Sequence, residues 1–303
     1  MLPVPAARAT ATAPPQLSDR SALFVGTAAT VIGLVFLVMV GFVFRKGIAR
    51  VYQRAVKTAA EVVPTVAVVA PGRLIRESAI DEVLSNVRLN ELSSKNVHQQ
   101  MVSYARGTME MSSLVALAMG ARPKEVEEKK RAAEVAETSA RTVYQQKAVY
   151  LEGMVDLLAL AARASGASAT DINSTMSAVR TADIGTDTVH QQCANYCDGG
   201  LHLTAMIARS EGSSAAEVSA IISEAGIDDI NAKNVYQQIV GRLTGLVKML
   251  AVTAKARGTS AARVESVMSE MRMADISADT IFQQEVTRLA AALKLLGLVA
   301  TAN

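Results

Sequence analysis

Tryptophan is missing from this 303-residue chain, cysteine occurs twice, histidine three times, and aromatic residues amount to 4%. The apolar half of the composition is therefore carried by Ala, Val, Leu, Ile and Met, which suits helices with small, closely packed faces. Cys193 and Cys197 are four residues apart, a poor helical disulfide geometry that fits a reducing compartment. The net charge of +3 is too small to argue for a nucleic-acid partner. A Gly-rich phosphate loop, a Ser/His/Asp arrangement and a recurring carboxylate pair are also lacking. These absences point away from an enzyme, and no cofactor is implied.

Charge itself is missing from one stretch. Ser21 to Phe44 runs 24 residues without a charged side chain between Arg20 and Arg45. About 20 apolar residues span a bilayer as a helix, and a cleaved secretory signal has a shorter core of about 7–15. The run is therefore expected to be a transmembrane helix rather than a buried core helix. Arg45, Lys46, Arg50, Arg54 and Lys57 follow it, against Arg8 and Arg20 before it. The positive-inside rule then places the C-terminal bulk on the cytoplasmic side or its equivalent, as a single-pass protein. Residues 1–20, rich in Pro, Ala and Thr, read as a disordered tail, with an organelle transit peptide as the lesser alternative.

What the sequence does have is a ruler. Val51, Val97, Val143, Val189, Val235 and Ile281 are spaced by 46 residues and open the phrases VYQR, VHQQ, VYQQ, VHQQ, VYQQ and IFQQ. A fixed period of this size marks a repeat architecture. Ala116, Ala162, Ala208, Ala254 and Ala300 share one position of the repeat, while Gly107, Gly153, Gly199 and Gly245 share another in mid-helix, where a close helix crossing is expected. Gly120, Gly166, Gly212 and Gly258 fall where a helix C-cap needs a left-handed residue. Ser168, Ser214 and Ser260 follow as N-caps of a second, shorter helix. Its inward face is marked by Ile80, Val126, Ile172, Val218 and Val264. Glu91, Glu137, Asp183, Asp229 and Asp275 recur in the connector and are expected to accept N–H bonds at the next helix start.

The expected fold is all-α: one transmembrane helix, then an α-solenoid of two-helix repeats. Residues 45–96 form a juxtamembrane segment and a degenerate first repeat, interrupted by Pro64. Residues 97–280 form four regular repeats, and 281–303 a C-terminal half-repeat. The period suits an open solenoid and a closed bundle alike. Alternation of Tyr52, His98, Tyr144, His190 and Tyr236 also hints at a double unit of 92 residues.

Three groups of residues are candidates for function. The first Gln of each phrase fits a capping box with the Thr or Asn three residues earlier. The second, Gln100, Gln146, Gln192, Gln238 and Gln284, is left over and suggests a hydrogen-bonded ladder across the copies. His190, Cys193, Cys197 and His202 have residue types that bind zinc. The repeat argues against their convergence, because the His202 position is Glu110, Asp156, Lys248 or Lys294 elsewhere and Cys193 replaces residues as different as Lys147 and Glu285. Finally, the half-repeat is apolar where a terminal repeat should be polar. Leu289, Leu293, Leu296 and Leu298 are thus expected to meet a protein partner or a second copy. The functional expectation is a non-catalytic, membrane-anchored scaffold or spacer. A structural component of a virion or organelle membrane is the alternative, and a metal-binding subunit of an enzyme complex the next.

Overall fold

A computed structural model describes residues 75–186 and 188–302, all within a unit that begins at Pro64. Ten α-helices and no strands occur among them. Short and long helices alternate. The short ones are α1 (Glu77–Ser93), α3 (Pro123–Thr138), α5 (Ala169–Ile184), α7 (Ala215–Asn231) and α9 (Ala261–Ile276). The long ones are α2 (Val97–Ala118), α4 (Val143–Ala164), α6 (Val189–Ser210), α8 (Val235–Ala256) and α10 (Ile281–Thr301). The tail at 1–20, the transmembrane expectation at 21–44 and the first copy's long helix from Val51 lie outside the described residues. Among the described residues no helix is long and apolar enough to cross a membrane.

The helix ends follow the repeated signals. Thr142, Thr188, Asn234 and Thr280 each accept the backbone N–H of the residue three further on, and Asn96 accepts from both His98 and Gln99. Among the described residues only Thr280 completes the reciprocal box, with its own N–H donating to Gln283 Oε1 at 3.0 Å. In the other copies whose glutamine bonds back, it reaches one residue earlier, to the N–H of Lys95, Arg141 or Lys233. Gly120, Gly166, Gly212 and Gly258 have φ between +91° and +97°. Gly120 N–H bonds to Leu117 O and Ala121 N–H to Ala116 O, the paired bonds of a Schellman end.

Of the open solenoid and the closed bundle that the period allows, the described residues form the closed one, a ring. Each long helix packs on the next in the order α2, α4, α6, α8, α10, and α10 packs back on α2. Five staves at a helix spacing of about 8–10 Å leave an axis that their own side chains fill. The short helices stand outside, each packed chiefly on the long helix that follows it. Their inward marks, Ile80, Val126, Ile172, Val218 and Val264, are all buried. Closure also corrects the exposed end. Leu289, Leu293 and Leu296 are no more than 2% exposed, and Leu298 is half-buried. The cover comes from the chain itself: Leu293 sits against Gly107 of α2, and Ile80 of α1 against Gly297. The half-repeat is thus completed by α1, giving five full short–long units.

The mid-helix glycines mark where short and long helices meet. A Cβ on Gly199 would come within 2.6 Å of Val179 of α5, and one on Gly107 within 2.4 Å of Val87 of α1. No side chain fits at that crossing. Gly199→Ala is therefore expected to destabilise the ring by about 1–3 kcal/mol through overpacking, despite a gain of about 1 kcal/mol in helix propensity. Adding Val179→Ala should recover part of the loss. Denaturant titration reads both, and a more stable Gly199→Ala variant would show that the crossing is not this close.

Candidate functional site

The residues with chemistry lie along the ring axis, and recurrence places them in layers. The second residue of each long helix forms the outermost layer, where His98, Tyr144, His190, Tyr236 and Phe282 meet edge to face in one unbroken circle. Ring centroids are 4.7–5.2 Å apart and interplanar angles 61–76°, the geometry that sets a positive ring edge on a negative face. A circle of five cannot alternate two residue types, and Phe282 fills the place between Tyr236 and His98. The 92-residue double unit does not divide this ring. Burial, then the charges of Lys147 and His98, hold His190 below its ordinary pKa, so it packs as a neutral ring.

The next layer inward is the fifth residue of each stave: Met101, Lys147, Cys193, Ile239 and Glu285, all at most 2% exposed. Lys147 Nζ donates to Glu285 Oε1 at 2.7 Å. Their helices, α4 and α10, are separated by α2, so the pair bridges across the axis. Burial pushes the Lys147 pKa down, but the Glu285 carboxylate outweighs it and the amine is held above its ordinary value. Cys193 shares the layer and Cys197 lies one turn deeper, both wholly buried. Burial pushes the Cys193 thiol up to about 12 and raises Cys197 as well, so neither is a thiolate at neutral pH.

The opposite end of the axis is tied by Arg257. Its guanidinium donates to the carbonyls of Val299 and Ala302, both at 2.9 Å, and to Glu211 at 3.0 Å, with Met119 Sδ at 3.1 Å. A cation there meets the carbonyl-rich C-terminal ends of several staves, where the helix dipoles favour it. Outside the axis, the recurring acid has a different partner from the expected backbone. It meets the side chain thirteen residues on: Glu91 with Tyr104, Asp183 with Tyr196, Asp229 with Arg242 and Asp275 with Arg288. Tyr150 stands in the same relation to Glu137, but its hydroxyl falls short of a hydrogen bond. These acids sit in the last turn of the short helices, where the dipole opposes them and a donor offsets it.

The four zinc candidates do not come together. His190 belongs to the aromatic circle, Cys193 and Cys197 to the axis, and His202 lies half-buried 3.9 Å from Asp198. Among the described residues no three His, Cys, Asp or Glu side chains approach as a metal site requires. The variability of the Cys193 position between copies reflects axis packing, because five side chains meeting at one level must differ to fit. The glutamine ladder is also corrected. Gln100, Gln146, Gln192, Gln238 and Gln284 are half-buried in successive staves, yet no hydrogen bond joins one side chain to the next among the described residues. The residues that sequence reasoning missed, Lys147, Glu285 and Arg257, occur once each and so leave no trace in a recurrence pattern.

No protein-family model, curated protein or solved structure matches this chain, so the geometry alone carries the functional reading.

Lys147→Met should cost about 3–5 kcal/mol, because it strands the Glu285 charge in the axis, whereas the double change with Glu285→Met should be close to neutral. Equilibrium unfolding separates the two. The amine is raised in the folded state, so its contribution is complete below the unfolded value of about 10.4 and is lost as pH climbs through the folded value. The wild type should therefore lose stability above about pH 10 faster than the double variant. Thiol labelling gives a second readout: Cys193 and Cys197 should react only as fast as the ring opens, and sooner in Lys147→Met.

Proposed function

We propose that the chain is a non-catalytic scaffold anchored in a membrane through Ser21–Phe44, with the ring held on the cytoplasmic or equivalent side. The observation that carries this reading is the filled axis. An aromatic circle covers one end, Arg257 ties the other, and buried side chains occupy what lies between. The surface left for recognition is the outside of the ring, which suits binding to other macromolecules better than chemistry on a small molecule. Charge argues for the anchor: 24 uncharged residues precede five Lys or Arg within 45–57. The same protein partner or second copy expected from the sequence would then meet the outer helices instead of α10.

Alkaline carbonate washing of membranes tests the anchor. The full chain should stay in the pellet, and a chain lacking residues 21–44 should move to the supernatant. Release of both would contradict the anchored reading.

A further inference from the structure

Two of the five rings that cover the axis belong to the residue type whose charge changes between pH 5 and 8. His98 and His190 stand on either side of Tyr144, with centroids 5.2 and 4.7 Å from it, and His190 meets Tyr236 on its other side at 4.9 Å. Both imidazoles are half-buried, so protons reach them from the solvent at this end. One turn below His190 on the same helix, Cys193 is 0% exposed. The circle is the layer that separates Cys193 and the Lys147–Glu285 pair from water here.

The surroundings of His190 suit a neutral ring and oppose a charged one. Its Nδ1 is buried without a hydrogen-bond partner among the described residues. An imidazolium donates from both nitrogens, so it would bury an N–H with no acceptor. On α4, Tyr144 lies beside the ring and the Lys147 ammonium stands in the layer below, while α8 presents Tyr236 at this level. Glu285 of α10, the carboxylate of that lower layer, is engaged by Lys147 at 2.7 Å. Of the two short helices packed on α6, α5 gives Asp183 Oδ2 to Tyr196 and α7 gives Asp229 to Arg242. Burial, Lys147 and His98 all keep the proton off His190, and no acid is among the charges that reach it. A tyrosine face attracts an imidazolium. A neighbour resting its edge on the imidazole face, however, loses that contact when the ring turns positive, and Lys147 repels the charge in either case.

We propose that the circle is an acid-opened gate: protonation of His190 breaks its contacts with Tyr144 and Tyr236 and opens this end of the axis to water while the staves stay packed. The gate is independent of the membrane anchor and goes beyond the scaffold reading, because it gives the ring two states. The closed state binds the proton less tightly than the open one, where the imidazole returns to its ordinary value of about 6.5. By linkage, opening is unaffected above that pH and grows as pH falls through it.

Cys193 reports the state from inside. Full-length Cys197→Ala protein keeps Cys193 as its sole thiol and places at 197 the residue found at the equivalent Ala105. Labelling by dithiodipyridine, which attacks thiols in acid as well as at neutral pH, is followed at about pH 7.5 and about pH 5. Each rate is divided by that of the same chain in denaturant. The ratio should rise about five-fold or more at the lower pH, with the far-UV helix signal unchanged. Adding His190→Phe or His190→Tyr puts there a ring already used at this position by Phe282, Tyr144 and Tyr236. In both variants the ratio should change by less than about two-fold, and either one carries the comparison if the other fails to fold. A flat ratio in the His190 protein overturns the proposal by itself. So does an equal rise in the ring variants, or a rise that comes with loss of the helix signal, which would be unfolding of the ring rather than opening of its end.

Discussion

The packing of α10 on α2 is the contact on which the other features depend. Without it the staves would form an arc, Leu289, Leu293 and Leu296 would face water, and Gly107 would have no Leu293 beside it. With it, the fifth residues of all five long helices are brought to one level, and the second residues meet as a circle of rings. Two helices far apart in sequence thus supply both the hydrophobic closure and the geometry of the axis. Burying such a surface is the main favourable term in folding, and here it is also what excludes water from Lys147 and Glu285.

That ion pair is better understood as specifying the ring than as stabilising it. Two apolar residues in its place would be as stable, since removing two charges from water costs about what their attraction returns. Its value is in register. Of the six copies in the sequence, the fifth residues are Ala55, Met101, Lys147, Cys193, Ile239 and Glu285, so only one helix brings an acid to meet the lysine. A stave carrying Ala55 at that place would leave Lys147 buried without a counter-ion. Arg257 imposes a similar demand at the other end, where its partners are carbonyls and a carboxylate found at one combination of helix ends.

Much of this fold was legible in the sequence, for a definite reason. Positions that contact a neighbour in the same way in every copy are held alike by the repeat: the Thr or Asn caps, the left-handed glycines, the small mid-helix residues and the apolar face of the short helices. Positions on the axis meet one another, so they diverge, and divergence looks like surface. This is why Lys147 drew no attention. Closure was illegible because the curvature of a stack is set by small wedge angles between units, which no single motif records. The exposed Leu92, Ile184, Ile230 and Ile276 were legible in principle, since all fall on the 46-residue grid, but an apolar residue in a helix pattern is ordinarily taken for core. The connector acids show the same limit: their recurrence was visible, and their Tyr or Arg partners thirteen residues away were not.

Dipolar broadening between nitroxide labels tests the central claim, closure by α10, most directly. Labels at Ser103→Cys on α2 and Thr287→Cys on α10 should broaden as strongly as labels at Val149→Cys and Asn195→Cys on the adjacent staves α4 and α6. In a closed ring both pairs are one helix spacing apart, about 8–10 Å between axes. In an open stack the first pair would be four spacings apart, roughly 40 Å, and its spectrum would show no broadening while the second pair's still did. That result would contradict the ring.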